Sequence, residues 1–137
     1  MKKSAIYLVI LTVFSFIGFY SCSGTSSNSP GKAVISLYEK MKSQDFEKVA
    51  KMYVKKDGEQ LSEDEAKKIE GLIGMGSKEY EKKGGLDKIT IDEEKINEDG
   101  SSAKVDFTVH YKNGDTDKEH VSLIKVNGDW FIQVTNS

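Results

Sequence analysis

Apolar side chains recur along this chain with two different periods, and the switch between them divides it. From Pro30 to Gly85 they fall three and four residues apart, the spacing of helices with one buried face. Val34, Leu37, Tyr38 and Met41 form the first stripe. Ser29 stands before it as an N-cap, with Pro30 at the first helical position, where the missing N–H is not needed. Ser43-Gln44-Asp45 ends that helix, and Asp45 is placed to cap a second one with the apolar face Phe46, Val49, Ala50 and Tyr53. Lys55-Lys56-Asp57-Gly58 then makes a turn. Ser62 and Glu65 have the spacing of a capping box. The third helix, which they open, carries Ala66, Ile69, Leu72, Ile73 and Tyr80 and ends at Gly84-Gly85. Gly71, Gly74 and Gly76 inside it each cost roughly 1 kcal/mol relative to alanine, which predicts a kink or a close approach there. The Gly-Leu-Ile-Gly-Met-Gly run is not a phosphate loop, because no predicted strand precedes it and no Gly-Lys-Ser/Thr ending follows.

From Leu86 onward the period is two. Residues 87–96 form a charged edge strand, closed by the turn Asn97-Glu98-Asp99-Gly100. Ala103, Val105, Phe107, Val109 and Tyr111 alternate with polar residues, as in a strand with one core face. Asn113-Gly114 begins a loop into a strand at 121–126, and Asn127-Gly128 is a two-residue hairpin signal leading to residues 130–134. The second turn pairs Val126 with Asp129, Leu123 with Ile132 and Val121 with Val134. A three-residue loop at 113–115 pairs Phe107 with Val121 and Val105 with Leu123, on the same face. The fold class is therefore α+β: three N-terminal helices on one face of a curved antiparallel sheet of about four strands.

Ahead of the domain the chain is of another kind. Lys2 and Lys3 precede an apolar run at residues 5–20, followed by Ser21-Cys22-Ser23-Gly24. A positive end, a short apolar segment and small residues are the parts of a secretory signal. The run is shorter than the roughly 20 residues that span a bilayer core, which weighs against an uncleaved membrane anchor. A secreted protein with a free thiol is the other alternative. The segment resembles the lipobox of bacterial lipoproteins, with cleavage between Ser21 and Cys22, although Phe19 and Tyr20 depart from the family pattern. That resemblance implies a signal peptide at 1–21 and a membrane-attached lipid on Cys22, with 22–29 as a flexible tether. It also implies a periplasm-facing place in the bacterial cell envelope.

With a single cysteine no intramolecular disulfide can form. The net charge is −2, and loss of Lys2 and Lys3 with the leader makes the body more acidic, so a nucleic-acid partner is not expected. His110 and His120 share a face in the expected register, but lysines surround them and no third ligand is at hand, so no metal is expected. No Ser/His/Asp or Cys/His arrangement is present, so no catalytic residue is assigned and no cofactor is implied. Ile124, Val126 and Phe131 lie together on the face opposite the core, which marks a candidate interface with a partner protein or a second copy.

Two stretches carry a further resemblance. Residues 32–38 with 44–49, and the closing hairpin 121–132 with its Gly-Asp-Trp, are similar to nuclear-transport-factor-2-like (cystatin-like) domains. The nearest likeness is to small bacterial lipoproteins once compared with lumazine-binding proteins, and it covers most of the domain at 30–137. It implies a sheet folded around a long helix, often with a pocket and often dimeric through the sheet. Tyr38, Tyr53, Tyr111 and Trp130 are the expected pocket wall. A non-enzymatic domain binding a small ligand or an envelope protein is the reading this supports. An isomerase- or dehydratase-like enzyme and an assembly scaffold are its alternatives.

Overall fold

The computed structural model describes residues 29–135, so Ser21, Cys22 and nearly all of the expected tether lie outside the described residues. Helix α1 (Pro30–Lys42) opens as its sequence predicts, with the Ser29 side chain accepting from the Lys32 N–H at 3.1 Å. It buries Ala33, Val34, Leu37, Tyr38 and Met41 against the sheet. Helix α2 (Phe46–Ala50) is a little over one turn long, with Asp45 at its cap. Tyr53 does not extend that helix. It belongs with Val54 to a two-residue strand, β1 (Tyr53–Val54).

Helix α3 (Glu63–Lys82) has the complete capping box: Glu65 N–H donates to Ser62 Oγ and Ser62 N–H to Glu65 Oε2. It ends where Gly84 and Gly85 take φ of 86° and 96°, which a side chain would resist. The helix runs unbroken through its three inner glycines. A Cβ at Gly71 or Gly76 would meet nothing within 4 Å, and at Gly74 only the Phe46 ring at 4.0 Å. Those glycines therefore carry their helix cost without a packing return. Gly71→Ala should raise stability by about 0.5–1 kcal/mol, read as a higher urea midpoint at unchanged slope.

The sheet has five strands, one more than expected, in the order β1-β5-β4-β3-β2. Strands β2 (Leu86–Ile96), β3 (Ser102–Tyr111), β4 (Thr116–Val126) and β5 (Asp129–Gln133) form the antiparallel meander. The extra strand β1 pairs in parallel with β5, Tyr53 beside Ile132. The last hairpin has the expected register at Val126–Asp129 and Leu123–Ile132, with Asn127 and Gly128 both at positive φ in the turn. Val134 lies beyond β5, so its expected pairing with Val121 is not part of the ladder.

The β3–β4 hairpin is corrected by two residues. Val105 pairs with Val121 and Phe107 with Glu119, because the loop is Lys112 to Gly114 rather than 113–115. Tyr111 N–H donates to Asp115 O across it at 2.9 Å, and Gly114 supplies a φ of 94°. A three-residue hairpin needs its left-handed residue last, and only the earlier start puts Gly114 there.

The odd-numbered residues of β3 face the core, as expected. Val105, Phe107, Val109, Leu123 and Ile132 are all at most 2% exposed, and with Val34 and Leu37 they form the centre of one cluster. β2 is the outer edge, and its Glu94 carboxylate accepts from the Gly31 N–H in the first turn of α1. That contact places an acid at a helix N-terminus, where it is favourable.

Candidate functional site: a cleft beneath the long helix

Helix α3 has no buried residue, although apolar side chains line one of its sides. Leu72 and Met75 are 63% and 68% exposed. The helix is held at its ends, by its contact with α2, and by Ile73 and Tyr80, which pack half-buried against the core. The capping box and a Lys55–Glu65 ion pair (3.4 Å) hold its start. At its finish Gly85 N–H donates to Tyr80 O, and Asn113 N–H to Lys83 O. Between those points the helix stands off the sheet over a cleft of about 550 Å³.

One wall of the cleft is α1 with Leu37, Tyr38 and Met41, and another is α3 with Ile69, Leu72, Ile73 and Tyr80. The floor exists because β5 abandons β4. Their ladder ends at Leu123–Ile132, after which β5 follows β1, with Ile132 N–H donating to Met52 O and Val134 N–H to Val54 O. Lys125 N–H donates to Ser101 O, so the odd residues of β4 turn their backbone groups toward β3 and the even ones away from it. His120 and Ser122 therefore direct backbone N–H and C=O into the gap beyond β5, where both line the cleft.

The inner face of β4 also carries Asp117 and Glu119, which are not expected there from sequence and lie outside the cleft lining. Tyr111 Oη and Lys83 Nζ both donate to Asp117 Oδ2 at 2.8 Å, and Lys83 lies 4.5 Å from the Tyr111 ring centre. The Tyr80 and Tyr111 rings are 5.7 Å apart. Together these groups join the end of α3 to β3 and β4.

Burial is the main cause that pushes the Tyr53 hydroxyl up to about 12, and burial likewise raises Tyr38, Tyr80 and Tyr111. At neutral pH all four remain protonated, so they can donate or accept hydrogen bonds but do not serve as bases.

The Asp117 carboxyl is held below the usual carboxylate range, first by Lys83 and then by Tyr111, and Lys83 is raised by Asp117. A lowered folded value for Asp117 means its contribution is complete above the unfolded value of about 3.9 and lost as pH falls. The raised Lys83 contributes below about 10.4, and that part is lost as pH rises through its folded value. Both groups are open to solvent, so the effect is small. Asp117→Asn should lose less stability than the parent chain between pH 6 and pH 3, measured by urea midpoint at each pH.

The residues singled out by sequence are distributed unevenly. Tyr38 and Tyr53 line the cleft, whereas Tyr111 and Trp130 are buried in the core beside it. The corrected register places His110 opposite Thr116 and His120 opposite Asp106, about 13 Å apart along the strands rather than diagonal neighbours. His110 Nε2 is 2.9 Å from Thr90 Oγ1. No cluster of His, Cys, Asp and Glu with metal-binding geometry occurs among the described residues. Ile124, Val126 and Phe131 are half-buried on the outer face, with Gly58 of the β1–α3 loop seated over Ile124 and Val126.

An open, curved five-stranded sheet with helices on one face and a cleft under the longest helix places the chain in the nuclear-transport-factor-2-like fold class. Within that class it belongs to the family described as a domain of unknown function, DUF4878, which matches residues 21–133. A solved Campylobacter jejuni protein, provisionally described as an NTF2-like transpeptidase, is 23% identical with a TM-score of 0.64. The match covers 77% of this chain and 98% of that one. A SEC-C motif containing protein from Rhodopseudomonas palustris is 14% identical at a TM-score of 0.54, covering 80% and 79% of the two chains. At these identities the likeness is one of fold alone. No curated protein sequence matches the chain.

Proposed function

We propose that this is a lipid-anchored protein of the bacterial cell envelope whose domain binds a small ligand in the cleft beneath α3. The anchor is Cys22, exposed by removal of the leader, and the chain from Ser23 to Ser29 is the tether. The observation that supports binding is the cleft itself. Its volume of about 550 Å³ falls within the roughly 300–1,000 Å³ common for ligand sites. Its lining combines apolar side chains with Lys104, His120 and Gln133, and tyrosine hydroxyls and strand backbone groups are available to orient a ligand.

Two measurements test the two halves of this reading. Cys22→Ala should leave an unprocessed precursor without acyl label, and normal labelling of that variant would remove the anchor. For the cleft, native mass spectrometry of the full chain released gently from envelopes should detect a retained non-covalent mass. Ile73→Trp, which fills the space under α3, should lose it. A parent chain that carries no such mass, or a variant that retains it, contradicts binding in the cleft.

A further inference from the structure

The cleft does not end at α3. A second hollow of about 540 Å³ runs along the N-terminal half of that helix and shares Ile69, Leu72 and Val134 with the first. The two adjoin across those residues as a trough along α3 in which apolar and polar groups are mixed at both ends. Its inner part is lined by Leu37, Met41, Ile73 and Ile132 together with polar residues that include Lys104, His120 and Gln133. Its outer part opens between Lys55, Lys56 and Lys68.

The charges at that mouth do not cancel. Lys55 is engaged with Glu65 at 3.4 Å. Asp57 is exposed and keeps its charge while accepting from the Glu59 N–H at 3.0 Å, so three lysines against Asp57 and Glu65 leave the mouth one net positive charge. Lys56 and Lys68 form no ion pair among the described residues. A trough with more apolar than polar surface and one net positive charge at its outer mouth is complementary to a molecule with a long alkyl chain and one anionic head. A compact polar ligand would leave Leu72 uncovered. A neutral lipid would leave the lysines without a counter-charge.

We infer that the trough takes a long-chain fatty acid, its alkyl chain beneath α3 and its carboxylate between Lys56 and Lys68. This rests on the cleft being a binding site, as proposed above, and adds the class of ligand. The occupied trough would cover the Leu72 side chain, at roughly 25 cal/mol for each Å² of apolar surface removed from water. Hydrogen bonds from ammonium groups to a carboxylate are the stronger kind, which places head-group selection at the lysines.

The test uses the full chain in its own membranes and two photoreactive probes, a diazirine hexadecanoic acid and the matching diazirine hexadecanol. After illumination, cross-linked peptides are mapped by mass spectrometry, which separates cleft adducts from acylation at Cys22. The acid should mark residues 69–73 at least about tenfold more than the alcohol, equivalent to about 1.4 kcal/mol. Lys56→Glu combined with Lys68→Glu should abolish that preference. Both lysines are exposed, and a matching circular-dichroism melt confirms that the variant is folded. Equal marking by the two probes would refute the acid while leaving the cleft a binding site. Absence of both adducts from 69–73 would refute the amphiphile, whatever non-covalent mass the native spectrum shows.

Discussion

Phe107→Ala should cost the domain about 3–5 kcal/mol, the range for removing a buried phenylalanine. Phe107 is 1% exposed on the inner face of β3 and meets the edge of Tyr38 from α1, with ring centres 5.4 Å apart. It therefore fills the junction between the first helix and the middle of the sheet. Truncation leaves a cavity walled by strand backbone on one side, which cannot collapse readily. Domains of this size have a total stability of about 5–15 kcal/mol, so a large share disappears. A urea titration reads the loss as a shift of one or more molar at slopes of about 1–3 kcal/mol/M. A loss under about 1 kcal/mol would mean that helix and sheet do not meet at this ring.

The second large effect separates the two long helices. Val34 on α1 is 0% exposed, and Val34→Asp would bury a carboxylate with no partner. The expected cost is several kcal/mol, enough to leave much of the chain unfolded at 25 °C. Leu72→Glu on α3, at a position 63% exposed, should change stability by no more than about 0.5 kcal/mol. Glutamate is a good helix former, so propensity does not blur the comparison. Thermal melts of both variants measure the contrast. Similar losses at the two sites would show that α3 is part of the core and would close the cleft described above.

Much of this architecture is legible in the sequence because each element announces itself locally. Ser29-Pro30, the Ser62/Glu65 box and Asn127-Gly128 lie where the helices start and the last hairpin turns. What escaped is of a different nature. The two-residue error in the β3–β4 register is invisible to alternation, since an even shift returns every side chain to its own face. Only the requirement for Gly114 at the end of the loop distinguishes the two registers.

Strand β1 is two residues long and pairs with a strand some eighty positions away, so no local period marks it. Asp117 and Glu119 continue the inward alternation of Val121 and Leu123, but as acids they read as solvent-facing until the tyrosines opposite them are seen. The helical stripe on α3 is plain in the sequence, whereas the exposure of Leu72 within it is not. Periodicity identifies an apolar face without saying what lies against it.

The Gly31–Glu94 contact has a mechanical consequence. Whatever pulls on the chain ahead of Ser29 loads the first turn of α1, which is tied by Glu94 to the edge strand β2 and by Val34 and Leu37 to the centre of the sheet. That load runs into several elements at once, as shear across packed surfaces, and does not peel one strand from the next. Helix α3 lies off this line of force, joined to the rest through its ends and its contact with α2. A tug at the N-terminus would thus be borne by α1 and the sheet, and it would reach the cleft through the wall that α1 supplies.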